Sequence, residues 1–363
     1  MEAKVRRRLG GLLAAAMAAL MLSPQLGAEA RLPEGMAAVG AVNAAVELQK
    51  VLVPGGQSVG VALRTGVVVV GNSDLGRTPS PARLAGLKSG DVIQSLDGEA
   101  VTGAKQLSAS IADGETAHLR ILRGGDVVEC DVTPAQDERD GQYRLGAWVR
   151  DSTAGVGTLT YYDPEDGGFG ALGHAITDVD TGVVMPVGDG GIYPNRVVAV
   201  TPSKAGSPGE LTGDFLGETE ALGSVSKNGD SGIFGSADGP IAGALYPEGL
   251  PAASRSQVHP GAASLITTVD DGGPREYACE VVRLSDRGQS ASRAMVIRVT
   301  DPELLEKTGG IVQGMSGSPI LQDGRIIGAV THVMVNDPTM GYGIMIETML
   351  KEAEESEELG VRN

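Results

Sequence analysis

Short apolar runs, alternating with polar positions and ending at glycine or proline, recur along most of this chain. That period is the mark of β-strands, one face turned inward. After the turn Pro54-Gly55-Gly56, the segments Gln57–Leu63 and Gly66–Gly71 predict two strands joined as a hairpin. A short helix is expected after Pro81, stopping at a glycine, followed by a strand that leads into an Asp97-Gly98 turn. Residues 134–144 are polar and charged and predict a link between domains. Beyond Leu145 the pattern is again strand-like, at Gly157–Tyr161, Val183–Val187, Arg196–Val200, Ser264–Thr268, Tyr277–Leu284, Ala294–Thr300 and Arg325–His332. Pro302 opens a short helix through Lys307, with Asp301 placed to cap it. The expectation is a mainly β protein of two domains.

Composition agrees with that reading. Glycine is abundant, at 54 residues, and phenylalanine is scarce, at 3, which suits short strands and tight turns more than a helical bundle. The net charge of −17 and the lack of a basic stripe exclude nucleic acid as a partner, since its phosphates would be repelled. Lys4, Arg6, Arg7 and Arg8, an apolar run over Leu9–Leu22 and then Ala28-Glu29-Ala30 follow the order of a secretory signal. Residues 1–30 are therefore expected to be a signal peptide or membrane anchor, with 31–53 as a linker and the rest facing out of the cytoplasm. The two cysteines, Cys130 and Cys279, lie far apart and read as thiols on strands; the four histidines are scattered singly. Neither pattern predicts a metal site, and no cofactor is implied.

Candidate chemistry centres on Gly309-Gly310-Ile311-Val312-Gln313-Gly314-Met315-Ser316-Gly317-Ser318-Pro319-Ile320. A catalytic serine needs its hydroxyl at a tight turn, with backbone N–H groups converging where an oxyanion will form. Gly314 and Gly317 supply the freedom for such a turn, which makes Ser316 the nucleophile candidate. Its base should be His174, framed by glycines in Gly170-Ala171-Leu172-Gly173-His174. His118, His259 and His332 are weaker rivals, the last set on an expected core strand. Asp301, Asp178 and Asp180 compete as the carboxylate that orients the base, and spacing does not choose among them. Asn228-Gly229-Asp230-Ser231-Gly232 offers a second serine turn.

Two stretches resemble known families. Ala82-Arg83-Leu84-Ala85-Gly86-Leu87-Lys88-Ser89-Gly90-Asp91-Val92-Ile93 and the Asp97-Gly98 turn look like a bacterial PDZ domain, covering 54–134. The resemblance implies a groove helix at Ala104–Ile111, a carboxylate-binding loop at Ser58, Val59, Gly60 and Val61, and an extended peptide as ligand. The segments around His174, Asp301 to Ile320 and Gly328-Ala329-Val330-Thr331-His332-Val333 resemble the stage IV sporulation protein B (SpoIVB) family of serine peptidases. That resemblance implies a trypsin-like double β-barrel over 145–363, after a link at 135–144. By it His174 is the base, Asp301 the orienting acid and Ser316 the nucleophile, with Gly314 and Ser316 forming the oxyanion hole, and Ser231 is set aside. It further implies self-cleavage, secretion from the forespore into the space between the two membranes, and cutting of a membrane-bound regulator of an intramembrane protease. The alternatives are a catalytically inactive PDZ adaptor and a general extracytoplasmic quality-control protease.

Overall fold

A computed structural model describes residues 50–215, 220–286 and 290–360, without the side chains of 356–360. The expected signal segment and residues 31–49 of the expected linker lie outside the described residues. The chain enters through β1 (Val51–Pro54) and β2 (Ser58–Asn72). It then builds a small module from α1 (Pro81–Leu84), β3 (Val92–Leu96), β4 (Glu99–Ala100), α2 (Ala104–Ser110), β5 (Ala117–Arg123) and β6 (Asp126–Val132). A two-stranded ribbon, β7 (Ala135–Gln136) with β8 (Tyr143–Arg144), occupies the expected link. It folds over the buried Asp137, whose carboxylate takes hydrogen bonds from Arg139.

The long strand β9 (Ala147–Tyr162) returns antiparallel to β2 along nearly its whole length. Then follow β10 (Gly168–Ala171), β11 (Asp189–Thr201), β12 (Glu210–Phe215), β13 (Gly223–Gly229) and β14 (Gly232–Ala237). Pairing in the order β9-β10-β14-β13-β11-β2, closed by β2 with β9, makes a first six-stranded barrel. Val59, Val61, Leu63, Leu159, Phe169, Ile192, Val225 and Ile233 fill it. After β15 (Leu250–Pro251) comes a second closed barrel of β16 (Gly261–Thr267), β17 (Arg275–Leu284), β18 (Met295–Val299), β19 (Pro319–Gln322), β20 (Arg325–Val333) and β21 (Met340–Met345). Helix α3 (Pro302–Thr308) precedes the serine loop. The closing helix α4 (Ile346–Gly360) packs Ile346, Met349 and Leu350 against Leu52, Tyr161 and Phe234 between the barrels. The architecture is a PDZ module joined to a double β-barrel.

Val183–Val187 forms no strand, only a bridge from Val184 to Thr177, and Val51–Val53 of the expected linker belongs to β1. Two larger expectations change. Gln57–Leu63 and Gly66–Gly71 are not a hairpin but one 15-residue strand, β2, in which Thr65 and Gly66 fall at a bulge. A bulge and a reversal both use glycine at positive φ, here +69° at Gly66, so the same residues serve either. One end of β2 therefore belongs to the first barrel and the other to the PDZ sheet. The module is an insertion between β2 and β9 of the barrel, not a bead ahead of it.

The second correction follows from the first. Ser58, Val59, Gly60 and Val61 are not a loop: they are buried in β2, all four paired with β9 and Val59 to Val61 paired with β11 on the other edge. A side chain at Gly60 would stand 2.4 Å from the Phe215 ring. Their backbone groups are spent in the barrel, and no peptide carboxylate can reach them.

Candidate active site

The serine loop hangs between the barrels, and its carbonyls are held by the first one. Thr158 of β9 donates from its hydroxyl to Gly314 O at 2.7 Å and from its N–H to Ser316 O at 3.0 Å, while the Thr160 hydroxyl donates to Gly317 O at 2.8 Å. Gln313 is bridged on both backbone groups to Gly209 and Leu211 at β12. With the carbonyls drawn one way, the N–H groups of Gly314 and Ser316 donate to no acceptor among the described residues. Gly317 is required twice over. Its φ is +97°, and a Cβ there would lie 2.0 Å from Thr158 O.

His174 follows β10 and lines the same cleft as Ser316, a cavity of about 750 Å³ between the barrels. Its loop is braced by Asn228, which accepts from Ile176 N at 2.7 Å and donates to Ile176 O and Met185 O at 2.8 Å each. The imidazole Nδ1 meets Ala175 O at 2.8 Å. A carbonyl only accepts, so Nδ1 carries the proton and Nε2 keeps its lone pair, the tautomer a general base needs. Burial pushes the pKa of His174 below the usual histidine value, and the bond to Ala175 offsets part of that push. The ring is neutral at pH 7. Ser316 Oγ donates to Thr331 O at 2.8 Å, so the hydroxyl rests on a carbonyl of β20.

The structure brings Ser316, Gly314 and His174 to one cleft and leaves Asp301 outside its lining. Asp301 caps α3, accepting from Leu304 N at 3.0 Å, and also accepts from Ala278 N at 3.3 Å. Its carboxylate is committed to the helix start. Asp178 is likewise engaged: it accepts from Thr181 and Asp180 within its own turn and pairs with Arg150 at 3.0 Å. Asp180 pairs with Arg150 at 2.8 Å. Ser231 is buried, and its N–H donates to Glu352 of α4 at 2.9 Å. His118 and His259 pair with Asp131 and Asp323 at the surface.

His332, passed over in the sequence, also lines the cleft, with its ring centroid 5.1 Å from that of His174. A bulge in β20 between Val330 and His332 puts it there: Thr331 has no partner in β21, and its carbonyl is free for Ser316. The His332 residue keeps an exposed side to the cleft, but partial desolvation by the walls around it, reinforced by the His174 and Arg293 charges, lowers its pKa to about 4. Among the described residues no group of three or more metal-ligating side chains gathers anywhere.

A second cavity, of about 760 Å³, lies in the PDZ module between α2 and the start of β9. Leu107, Ser108 and Ile111 face Leu145–Val149 across it. From Ala147 to Arg150, β9 pairs only with β2 among the described residues, so its other edge opens on the groove. Leu145-Gly146 turns the chain into that edge, with Gly146 at φ +65°. The signal for this loop was a Leu-Gly pair just ahead of an apolar run, at the end of the stretch read as a linker.

Two six-stranded barrels, a serine and a histidine in the cleft between them and an inserted PDZ module define a serine peptidase architecture. The chain belongs to the SpoIVB peptidase S55 family, whose model matches residues 141–350. It is also similar to a probable periplasmic serine endoprotease, DegP-like, of Brucella suis, at 35% identity over 144 residues, 37% of this chain and 26% of that protein. A serine protease HTRA1 of Xenopus tropicalis is 43% identical over 60 residues, 16% of this chain and 13% of that one. The chain thus spans about a quarter or less of the curated relatives it matches. Among solved structures, the HtrA-type protease AlgW with a decapeptide aligns at TM-score 0.33 and 12% identity, over 70% of this chain and 68% of that one.

Proposed function

We propose that this protein is an extracytoplasmic serine endopeptidase of sporulation signalling, which cleaves itself and a membrane-bound regulator. The observation that carries the peptidase chemistry is that Ser316 and a His174 of base-competent tautomer line one cleft, beside two N–H groups with no acceptor among the described residues. In the reaction the Ser316 hydroxyl turns from Thr331 O to His174 Nε2 and attacks a peptide carbonyl. The proton passes to His174 and then to the leaving amine, and water releases the acyl-enzyme. The N–H groups of Gly314 and Ser316 receive the oxyanion, each contributing about 3 kcal/mol to lowering the barrier. The open edge of β9 beside α2 takes an extended peptide as an added strand.

Sporulation and the regulator rest on the family. The general quality-control reading is favoured by the DegP-like relatives and is separated by casein digestion, which a dedicated signalling enzyme performs poorly. The deciding experiment compares wild type with Ser316→Ala and Ser231→Ala for self-cleavage on a gel. Loss in the first variant and retention in the second is the expected outcome; the reverse moves the nucleophile to Ser231, and self-cleavage in both leaves an adaptor processed by another enzyme.

A further inference from the structure

A serine–histidine pair that transfers a proton creates an imidazolium, and a charge formed in a half-buried cleft needs a partner. In Ser-His-Asp enzymes a carboxylate at Nδ1 does this work. Here the Nδ1 position of His174 is occupied by Ala175 O. The carboxylates named in the sequence are engaged elsewhere, Asp301 on α3 and Asp178 and Asp180 on Arg150. Asp230, on the turn between β13 and β14, is the one carboxylate among the described residues that lines the cleft. It is exposed, and the bond recorded for the His174 ring goes to Ala175 O and not to this carboxylate.

What stands against His174 is His332. The two ring centroids are 5.1 Å apart with the planes inclined by 37°. A cation within about 6 Å of an aromatic centroid is attracted to the ring face. The placement is built rather than incidental. The β20 bulge that aims Thr331 O at Ser316 also delivers the next side chain to the cleft, and the Thr331 hydroxyl donates to Ser292 O at 2.6 Å. Behind His332 stands Tyr342, its partner across β21, with the Arg293 guanidinium 5.0 Å from the Tyr342 ring. The charged and titratable groups around His332 are therefore His174, Arg293 and Tyr342, and the carboxylate Asp230 lines the same cleft. Arg293 and His174 both disfavour a proton on His332, which keeps its ring neutral while His174 is charged.

We propose that His332 is a positioning residue of the catalytic unit, a neutral aromatic ring that stabilises the His174 imidazolium where other serine peptidases use a carboxylate. This rests on the peptidase reading of Ser316 and His174. As the Ser316 O–H bond breaks and the Oγ–acyl bond forms, the proton goes to His174 Nε2 and later to the leaving amine. His332 gains and loses no proton. Its contribution is greatest in the transition state, so it acts on kcat rather than on KM.

The test follows the rate at which a fluorophosphonate labels Ser316, across pH, in the full chain. Ser316→Ala is the control for labelling at that residue. His332→Leu comes close to the same volume but removes the ring; His332→Phe keeps an aromatic ring and removes the nitrogens. The Leu variant should label about tenfold more slowly at an unchanged melting temperature, and the Phe variant within about threefold of wild type. Without the ring the imidazolium is less favoured, so the acidic limb of the rate profile should move to lower pH in the Leu variant. His332→Gln, polar and non-aromatic, repeats the measurement if Leu disturbs folding. An unchanged rate and limb in both Leu and Gln would overturn the proposal. So would a limb that moves in Asp230→Asn and not in the His332 variants, which makes the carboxylate the partner. Wild type that does not label at all fails earlier, because the serine chemistry itself is then absent.

Discussion

The cleft and the PDZ groove have nearly the same volume, about 750 and 760 Å³, and the same strand walls both. Where β9 holds the serine loop it is engaged on both edges: Thr158 binds that loop by backbone and side chain and Thr160 by its hydroxyl, while Gln57 and Gly55 bond the other edge at Leu159 and Thr160. Along the groove the strand keeps one edge unpaired from Ala147 to Arg150. Catalysis needs N–H groups fixed before substrate arrives, whereas strand addition needs N–H and C=O groups still free. On the proposed reading, a single strand serves both demands by changing its partners along its length. Arg150 stands at the crossing, on the groove half of β9, and pairs with Asp178 and Asp180 of the loop that follows His174.

The sharpest way to break this contrast is Gly317→Ala. A Cβ 2.0 Å from Thr158 O, at φ +97°, cannot be housed without moving the serine loop off β9. Such strain costs about 1–3 kcal/mol, and a displacement of about 1 Å at reacting atoms costs about a hundredfold in rate. Fluorophosphonate labelling should fall by about that factor, while peptide binding at the groove, measured by calorimetry, stays as it was. Loss of both together would mean that the two cavities are not independently built.

Asp301 sharpens the comparison by asking which side chains belong to the cleft at all. Asp301→Ala should cost about 1 kcal/mol of stability through loss of the helix cap, and Asp301→Ser should restore most of it. Labelling of Ser316 should stay within a few-fold of wild type in both variants, as read beside the denaturation midpoint. A hundredfold loss in Asp301→Ser, at restored stability, would instead make this carboxylate part of the catalytic unit.

That residue also marks how far the sequence could be read. Its capping role was visible locally, since an aspartate before Pro302 at the head of an apolar turn has a direct physical meaning. The serine loop and the glycine-framed His174 were legible for the same reason: tight turns need glycine at fixed places. Features set by strand pairing were not. The apolar pattern of 57–71 fits a hairpin and a bulged strand equally, and only β9, about eighty residues later, decides between them. His332 sits where alternation predicts a core position, and the bulge at Thr331 that turns it into the cleft depends on its register with β21. The true edge of the PDZ groove was hidden likewise, because Leu145-Gly146 follows a charged stretch and its strand belongs to both domains.

The smallest expected effect is optical and separates the two cavities without a substitution. Trp148 is the only tryptophan in the chain, is 64% exposed and lies on the groove half of β9. A peptide added beside Ala147–Arg150 should take water from the indole and move its emission to shorter wavelength, in a saturable titration. A fluorophosphonate on Ser316 should leave the spectrum where it was, because the indole does not line the cleft. If labelling Ser316 alone shifts the emission, β9 transmits the change from one cavity to the other. Arg150→Gln should then weaken the shift, because its ion pairs to Asp178 and Asp180 join the His174 loop to the groove half of the strand.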